Sequence, residues 1–177
     1  MEELVKRAKE GDFSAFEEIF LREKDYVYSL LLRLLDHEED VKDAFQDVFI
    51  KVYRGLPKLK NTSSFKNWLY KIVVNTARNY MKPESISLEE IKVEKLADIS
   101  GDPHRLLENK KLREFLERAI KKLPEKYRIP FVLRDIEKLP VKEIAEILGI
   151  SENLVKVRVH RARMFLREEV SGFLTEG

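Results

Sequence analysis

The chain has 177 residues, of which 44% are hydrophobic and 37% are charged, and its formal net charge is +2 at pH 7. This size and composition are typical of a globular protein with one or two compact domains. The chain has no cysteine, which excludes disulfides, thiolate catalysis and thiolate-bound zinc, and its three histidines are widely separated. We therefore expect no metal, no cofactor and no enzymatic activity. Because no run of about 18 apolar residues occurs and the first residues are charged, we expect a cytoplasmic protein.

The charges are strongly segregated along the sequence. Residues 1–50 contain 7 basic and 14 acidic residues, whereas residues 51–82 contain 8 basic residues and no acidic residue. Such segregation predicts surfaces of opposite sign for different partners, one of which is a polyanion.

Apolar residues recur at helical spacing along almost the whole chain, which predicts an all-α protein. The helices expected in the first part lie at about residues 4–10, 13–35, 38–54 and 65–81. Asp12 is expected to cap the second helix, and Ser63 or Ser64 the fourth, since short polar side chains bond the free N–H groups of a first turn. Pro83 is expected to end the fourth helix.

Residues 83–107 are acidic, contain serine, glycine and proline, and lose the helical pattern. We interpret them as a flexible linker between two small helical domains, at residues 1–82 and 108–177. The second domain is expected to begin with an amphipathic helix from about residue 108, followed by another helix after Pro124.

The segment LPVKEIAEILGISENLVKVRVHRAR (139–163) has the pattern of a helix-turn-helix. Pro140 opens the first helix, Gly149 permits the turn, and Ser151 caps the second helix, whose inner face is expected to include Val155 and Val159. The opposite face is basic. A basic stripe can simply be a solvated surface, but the second helix of a helix-turn-helix normally enters the major groove of DNA. The candidate duplex-contacting residues are Ser151, Glu152, Asn153, Lys156, Arg158, His160, Arg161 and Arg163.

Residues 51–82, which we name the acid-free segment, end in a predicted helix with two different faces. Phe65 and Trp68 are expected to pack in the core, together with Leu69, Ile72, Thr76 and Tyr80. The polar face is formed by amides and cations, which are Asn67, Lys71, Asn75, Arg78 and Lys82. Cations track phosphates and amides bond to exposed base edges, so this face predicts binding to single-stranded nucleic acid.

Three segments in this order resemble the extracytoplasmic-function sigma factors of bacterial RNA polymerase, which belong to the sigma-70 family. They are DVKDAFQDVFIKVYRGL (40–56), SSFKNWLYKIVVNTARNYM (63–81) and the segment 139–163, and the resemblance spans about residues 4–166. It implies a monomeric subunit that recruits core polymerase, recognises two promoter elements and captures melted DNA without catalysis.

The resemblance also implies a role for each surface. A helix at 40–53 would dock on the clamp helices of the largest polymerase subunit, through Asp40, Asp43, Gln46, Asp47, Phe49 and Ile50. The turn and helix at 59–79 would bind the nontemplate strand of the minus-ten element and a flipped base. The candidate residues there are Leu59, Lys60, Asn61, Thr62, Ser63, Ser64, Asn67, Lys71, Asn75 and Arg78. The second helix of the helix-turn-helix would read the minus-thirty-five element.

Three positions depart from the family pattern. Leu154 and Val157 stand where the family generally has small polar residues, and either could contact a thymine methyl group or an inhibitory protein. Lys42 replaces a residue that is commonly acidic or small. Further partners implied are the flap of the second polymerase subunit and an anti-sigma factor, which can be anchored in the membrane. The alternative function from the residues alone is a helix-turn-helix regulator that binds duplex operators as a dimer.

Overall fold

The computed structural model describes residues 1–81 and 110–176, and the regular structure of these ranges is helical throughout. Contacts between Cα atoms divide the chain into two compact units, the first built on Met1–Met81 and the second on most of the chain after it. The expected all-α fold with two helical domains is therefore confirmed. The expected linker at 83–107 and the stop at Pro83 lie outside the described residues.

Four α-helices form the first unit: α1 (Glu2–Lys9), α2 (Phe13–Leu34), α3 (Glu38–Gly55) and α4 (Phe65–Tyr80). Gly11, with a φ of 95°, turns the chain between α1 and α2. The Asp12 side chain accepts a hydrogen bond from the backbone N–H of Ala15 at 3.2 Å, which confirms the expected cap. Hydrogen bonds from the Arg7 side chain, and then that from Ala15, lower the pKa of Asp12.

The core of the first unit lies around α2, which packs against α1, α3 and α4. On α4, Phe65, Leu69 and Thr76 are buried as expected, but Trp68, Ile72 and Tyr80 are only half-buried. The buried face is wider than the sequence suggested and includes Tyr70, Val73, Val74 and Ala77. The reason is that α4 packs against both α2 and α3, so two sides of the helix are covered.

The helices of the second unit that the structure describes are α5 (Lys110–Lys122), α6 (Glu125–Phe131), α7 (Val141–Leu148) and α8 (Glu152–Glu176). The long helix α8 packs against α5 and α6. Buried Arg128 donates a hydrogen bond from Nε to the carbonyl oxygen of Leu123 at 3.0 Å, which satisfies a backbone acceptor just after α5.

A π-helical turn at Val132–Ile136 follows α6 and was not expected from the sequence. Pro130 lies inside α6 and has no N–H group, so it removes one bond of the regular ladder. After Pro130 the helix is wound more loosely than an α-helix. The N–H of Glu137 bonds at 3.0 Å to the carbonyl oxygen of Val132, which is five residues earlier, as in a π-helix.

The helix-turn-helix formed by α7 and α8 has the turn that the sequence indicated. Gly149 has a φ of 66°, and the N–H of Ile150 bonds to the carbonyl oxygen of Ala145 at 3.1 Å. The Ser151 hydroxyl accepts a hydrogen bond from the N–H of Leu154 at 3.1 Å, as expected of a cap. The inner face of α8 is buried at Val155, Val159, Ala162 and Leu166.

Candidate nucleic-acid and polymerase interfaces

The turn between α3 and α4 is held by hydrogen bonds among its own polar residues. Asn61 Oδ1 accepts bonds from the N–H of Ser63 at 3.0 Å and from its hydroxyl at 2.7 Å. The Ser64 hydroxyl donates to the carbonyl oxygen of Asn61 at 2.9 Å. Ser64 therefore holds the N-cap position of α4, as one of the two expected residues, but its side chain makes no capping hydrogen bond. The Asn61 side chain instead caps the 3-10 turn at Thr62–Ser64, which precedes α4.

The turn is organised before it meets a ligand, and its candidate residues are at different depths. Lys60, Asn61, Ser63 and Ser64 are exposed, Thr62 is half-buried and Leu59 is buried. A turn that is already hydrogen-bonded loses less conformational entropy on binding than a flexible one.

Helix α1 contacts this turn, which sequence reasoning missed. Lys9 Nζ donates to the carbonyl oxygen of Leu59, and the Thr62 hydroxyl donates to a carboxylate oxygen of Glu2 at 3.2 Å. The turn thus has an acidic side chain at its edge, although the segment containing it has none. The residues in these two contacts are 50 and 60 positions apart in the sequence, so no local sequence pattern indicates them.

The polar face of α4 follows directly after the turn. Lys71 and Asn75 are exposed one helical turn apart, while Asn67 and Arg78 are half-buried beside them. The structure thus brings these four candidates to one side of the helix, adjoining the turn. Lys82, the fifth residue of the predicted face, lies outside the described residues.

Two cations of the acid-free segment have partners inside the first unit. Lys66 Nζ lies 2.6 Å from the carboxylate of buried Glu23 and 4.3 Å from the centre of the Tyr26 ring. Lys51 Nζ donates to the hydroxyl of buried Thr76 at 3.1 Å. The acid-free segment therefore offers less positive charge to a ligand than its number of basic residues indicates, because Glu23, which lies outside the segment, neutralises Lys66.

The acidic stripe of α3 lies beside the end of α4. The Tyr80 hydroxyl donates to Asp47 Oδ2 at 2.6 Å. This hydrogen bond, followed by burial and the nearby charges of Asp47, Asp43 and Asp40, raises the pKa of Tyr80 to about 12. The structure therefore confirms that the three carboxylates share one side of α3, and it adds Tyr80 as the residue that holds one of them.

The other side of α3 forms an open groove with α2, which we name the aromatic groove. Phe20, Phe45 and Phe49 meet edge to face there, with ring centres 4.8 to 6.1 Å apart. Phe49 is 7% exposed, whereas Ile50 is 47% exposed, so of these two candidates only Ile50 presents a large surface. The groove has a volume of about 660 Å³ and is lined by Phe13, Phe16, Phe20, Phe45, Gln46, Phe49, Ile50, Tyr53 and Arg54.

On α8 the candidate residues divide into two groups. Arg163 forms a bidentate ion pair with Asp135, at 2.7 and 2.5 Å, which raises the pKa of Arg163. Arg161 donates to the hydroxyl of Tyr127 at 3.3 Å. Both arginines connect α8 to preceding elements. The ion pair reduces the charge that Arg163 offers to DNA, whereas the bond of Arg161 to a neutral hydroxyl orients that side chain without neutralising it.

The second group lies on the open side of α8. Glu152, Asn153, Lys156 and His160 are exposed, and Arg158 is half-buried. Because they occupy the first turns of the second helix of a helix-turn-helix, they are placed as such motifs place base-reading and phosphate-binding residues.

A helix-turn-helix in one unit, and a face of cations and amides beside an acidic stripe in the other, define a DNA-binding protein with more than one partner surface. Two family models match the chain: sigma-70 region 2 over residues 19–85, and sigma-70 region 4 over residues 113–166. The chain therefore matches the same family in both units.

Curated relatives match nearly the full length of the chain. The extracytoplasmic-function RNA polymerase sigma-E factor of Escherichia coli is 36% identical, over 94% of this chain and 92% of that protein. The RNA polymerase sigma-H factor of Pseudomonas aeruginosa is 29% identical, over 99% and 96% respectively.

Solved structures share the fold. CnrH, solved in complex with the cytosolic domain of CnrY, superposes with a TM-score of 0.71 at 24% identity, over 97% of both chains. The sigma factor RpoE of Bartonella quintana, solved with the anti-sigma factor NepR, gives 0.63 at 18% identity, over 88% of this chain and 96% of that one.

The chain belongs to the extracytoplasmic-function sigma factors of the sigma-70 family, which are promoter-specific initiation factors of RNA polymerase. The resemblance noted in the sequence is confirmed, and the family favours an initiation factor over a dimeric operator-binding regulator. None of the helices in the described ranges combines the length and hydropathy that a bilayer-spanning helix needs.

Proposed function

We propose that this protein binds core RNA polymerase, positions it at two promoter elements and captures the nontemplate strand as the DNA melts. It does so in the cytoplasm, without a catalytic step of its own, and it is a monomer when free. The observation that carries the proposal is the continuous surface made by the ordered turn at 59–64 and the polar face of α4.

Capture of the unpaired strand follows from the chemistry of that surface. The turn places hydroxyl and amide groups at its exposed edge, and Lys71 and Asn75 continue this surface along α4. A base taken out of the stack needs hydrogen-bond partners for its exposed edge, and extrusion of a base costs a few kcal/mol. Hydrogen bonds worth about 0.5–1.5 kcal/mol each offset part of that cost, and a cation beside them binds the phosphate.

The upstream duplex is bound by α8. Its first turns lie just beyond the Gly149 turn and present Asn153, Lys156 and His160 to solvent. An exposed amide, an ammonium group and an imidazole at the start of such a helix suit base edges and phosphates in the major groove.

The polymerase is bound by α3. Its acidic stripe suits a basic surface such as the clamp helices of the largest subunit, and charge complementarity favours fast and specific docking. Ile50, which is 47% exposed beside the stripe, adds an apolar contact. The second unit would contact the flap of the second polymerase subunit.

An anti-sigma factor, which can be membrane-anchored, is a further partner that we propose. The sigma factor RpoE of Bartonella quintana was solved in complex with an anti-sigma factor, NepR. The aromatic groove supports this proposal, because it combines several aromatic rings with exposed Ile50 and Tyr53 and so offers an apolar surface to a partner protein.

The first experiment is transcription in vitro with core polymerase, with and without this protein, on promoter fragments. We expect initiation at specific promoters only when the protein is present. Specific binding to a symmetric duplex as a dimer, without any initiation, would overturn the proposal and support the operator-binding alternative.

The second experiment tests strand capture with Lys71→Gln, assembled into holoenzyme at saturating core polymerase. Permanganate reactivity of unpaired thymines should fall, and the yield of open complex should depend less on salt, because one phosphate contact is lost. Arg22→Gln is the matched control, since Arg22 is an exposed cation that pairs with Glu18 on its own helix. Equal loss in both variants would contradict a specific role for the α4 face.

A further inference from the structure

Val157 is an apolar side chain in the middle of the exposed face of α8. It is 44% exposed. At the helical repeat it lies roughly 170° from the mean direction of the buried residues Val155, Val159 and Ala162. Asn153, His160 and Arg161, which lie within one helical turn of it, are polar and exposed, and Leu154 beside them is half-buried.

Within the described residues of the second unit, the packing gives no reason for a valine at this position. Val157 points away from the buried stripe, and a β-branched residue has a lower helix propensity than the lysine or arginine found beside it. A single exposed apolar residue is unremarkable by itself. The position is informative because Val157 is exposed among polar side chains, while Leu154, the apolar residue next to it on the helix, is half-buried.

We propose that Val157 contacts the 5-methyl group of a thymine in the upstream promoter element, and that it makes the protein select a T·A pair there. This inference rests on the proposed binding of α8 to the upstream duplex. In the major groove, thymine is the base that presents a methyl group, while the other base edges present polar donors and acceptors. A valine can form no hydrogen bond with those polar groups, so a favourable contact requires the methyl group.

The neighbouring side chains supply the rest of the binding. Lys156 and His160 flank Val157 and are exposed, so they are placed to contact phosphates and fix the register of the helix. The positive charge of Lys156 and the exposed polar groups of Asn153 and His160 favour DNA as the occupant of this face over a partner protein with an apolar surface alone.

The test uses holoenzyme and duplex promoters with a randomised upstream element. Promoters that support transcription are selected, and every upstream thymine of a selected promoter is then replaced, one at a time, by deoxyuridine. This replacement removes only the methyl group. For the parent protein, we expect one replacement to weaken promoter binding about fourfold, which is the contribution of one buried methyl group.

The matched variants assign that methyl group to a side chain. In Val157→Ala, the same deoxyuridine replacement should leave promoter binding unchanged. Leu154→Ala is the control at the neighbouring half-buried residue, and in this variant the replacement should still weaken promoter binding about fourfold. A selected upstream element without thymine, or an equal effect of deoxyuridine in the parent and in Val157→Ala, would overturn the inference while leaving the proposed function intact. So would a Val157→Ala variant that binds every promoter normally and loses affinity for an inhibitory protein. Failure to select any upstream sequence would instead contradict the proposed function.

Discussion

The hydrogen bond between Tyr80 and Asp47 connects α4 to the acidic stripe of α3, and Tyr80→Phe removes it without removing the ring. The bond is 2.6 Å long and its acceptor is a carboxylate. Hydrogen bonds to charged groups contribute about 1.5–3 kcal/mol when buried, and both side chains here are half-buried, so we expect a loss of about 1 kcal/mol.

Urea unfolding of the full-length protein, followed by tryptophan fluorescence, measures this loss. The sequence has one tryptophan, Trp68 in α4, so the signal reports the first unit alone. Comparison of Tyr80→Phe, Asp47→Ala and the double variant should give a coupling energy of about 1 kcal/mol. Tyr53→Phe is the control, because Tyr53 is 54% exposed and its ring contacts are kept. Additive effects of the two substitutions would refute the reasoning.

The same bond predicts a pH dependence. The pKa of Tyr80 is raised from its ordinary value of 10 to about 12 in the folded protein. The folded state therefore holds this proton more tightly than the unfolded state, and the stabilisation is fully present below pH 10. It should decline as the pH rises from about 10 to about 12, and Tyr80→Phe should lose this part of the decline. Identical pH profiles of the two proteins over that window would contradict the assigned role.

Four further substitutions test other elements. Ser151→Ala removes a helix cap and should cost the second unit about 1 kcal/mol, seen as faster hydrogen exchange in its peptides; unchanged exchange would contradict the cap. Gly149→Ala meets no atom within 4 Å but must adopt a φ of 66°, and should cost about 1 kcal/mol by the same measurement; a neutral result would mean that the turn rearranges. Gly55→Ala places a Cβ atom 2.7 Å from the Trp68 ring, so fluorescence and stability should both change unless the ring has room to move. Lys9→Met keeps the apolar stem but loses the bond to the turn, and should lower open-complex yield about fivefold with unchanged core affinity; a normal yield would exclude α1 as a support of the turn.

The sequence by itself determined the features that depend on neighbouring residues. The cap at Asp12, the turn at Gly149 and the buried stripe of α8 follow from side chains within a few residues of one another, so a short window contains the necessary information. The three segments that resemble sigma factors are local in the same way, and their order along the chain identified the family.

The tertiary structure decided which charged groups are already paired. Lys66 is neutralised by Glu23, Arg163 is tied to Asp135, and Asp47 is held by Tyr80, although each pair is separated by 28 to 43 residues. A helical wheel assigns a side chain to a face but contains nothing about the element that packs opposite it. Long polar side chains can reach partners on any adjacent helix, so their pairing depends on how the helices pack in three dimensions.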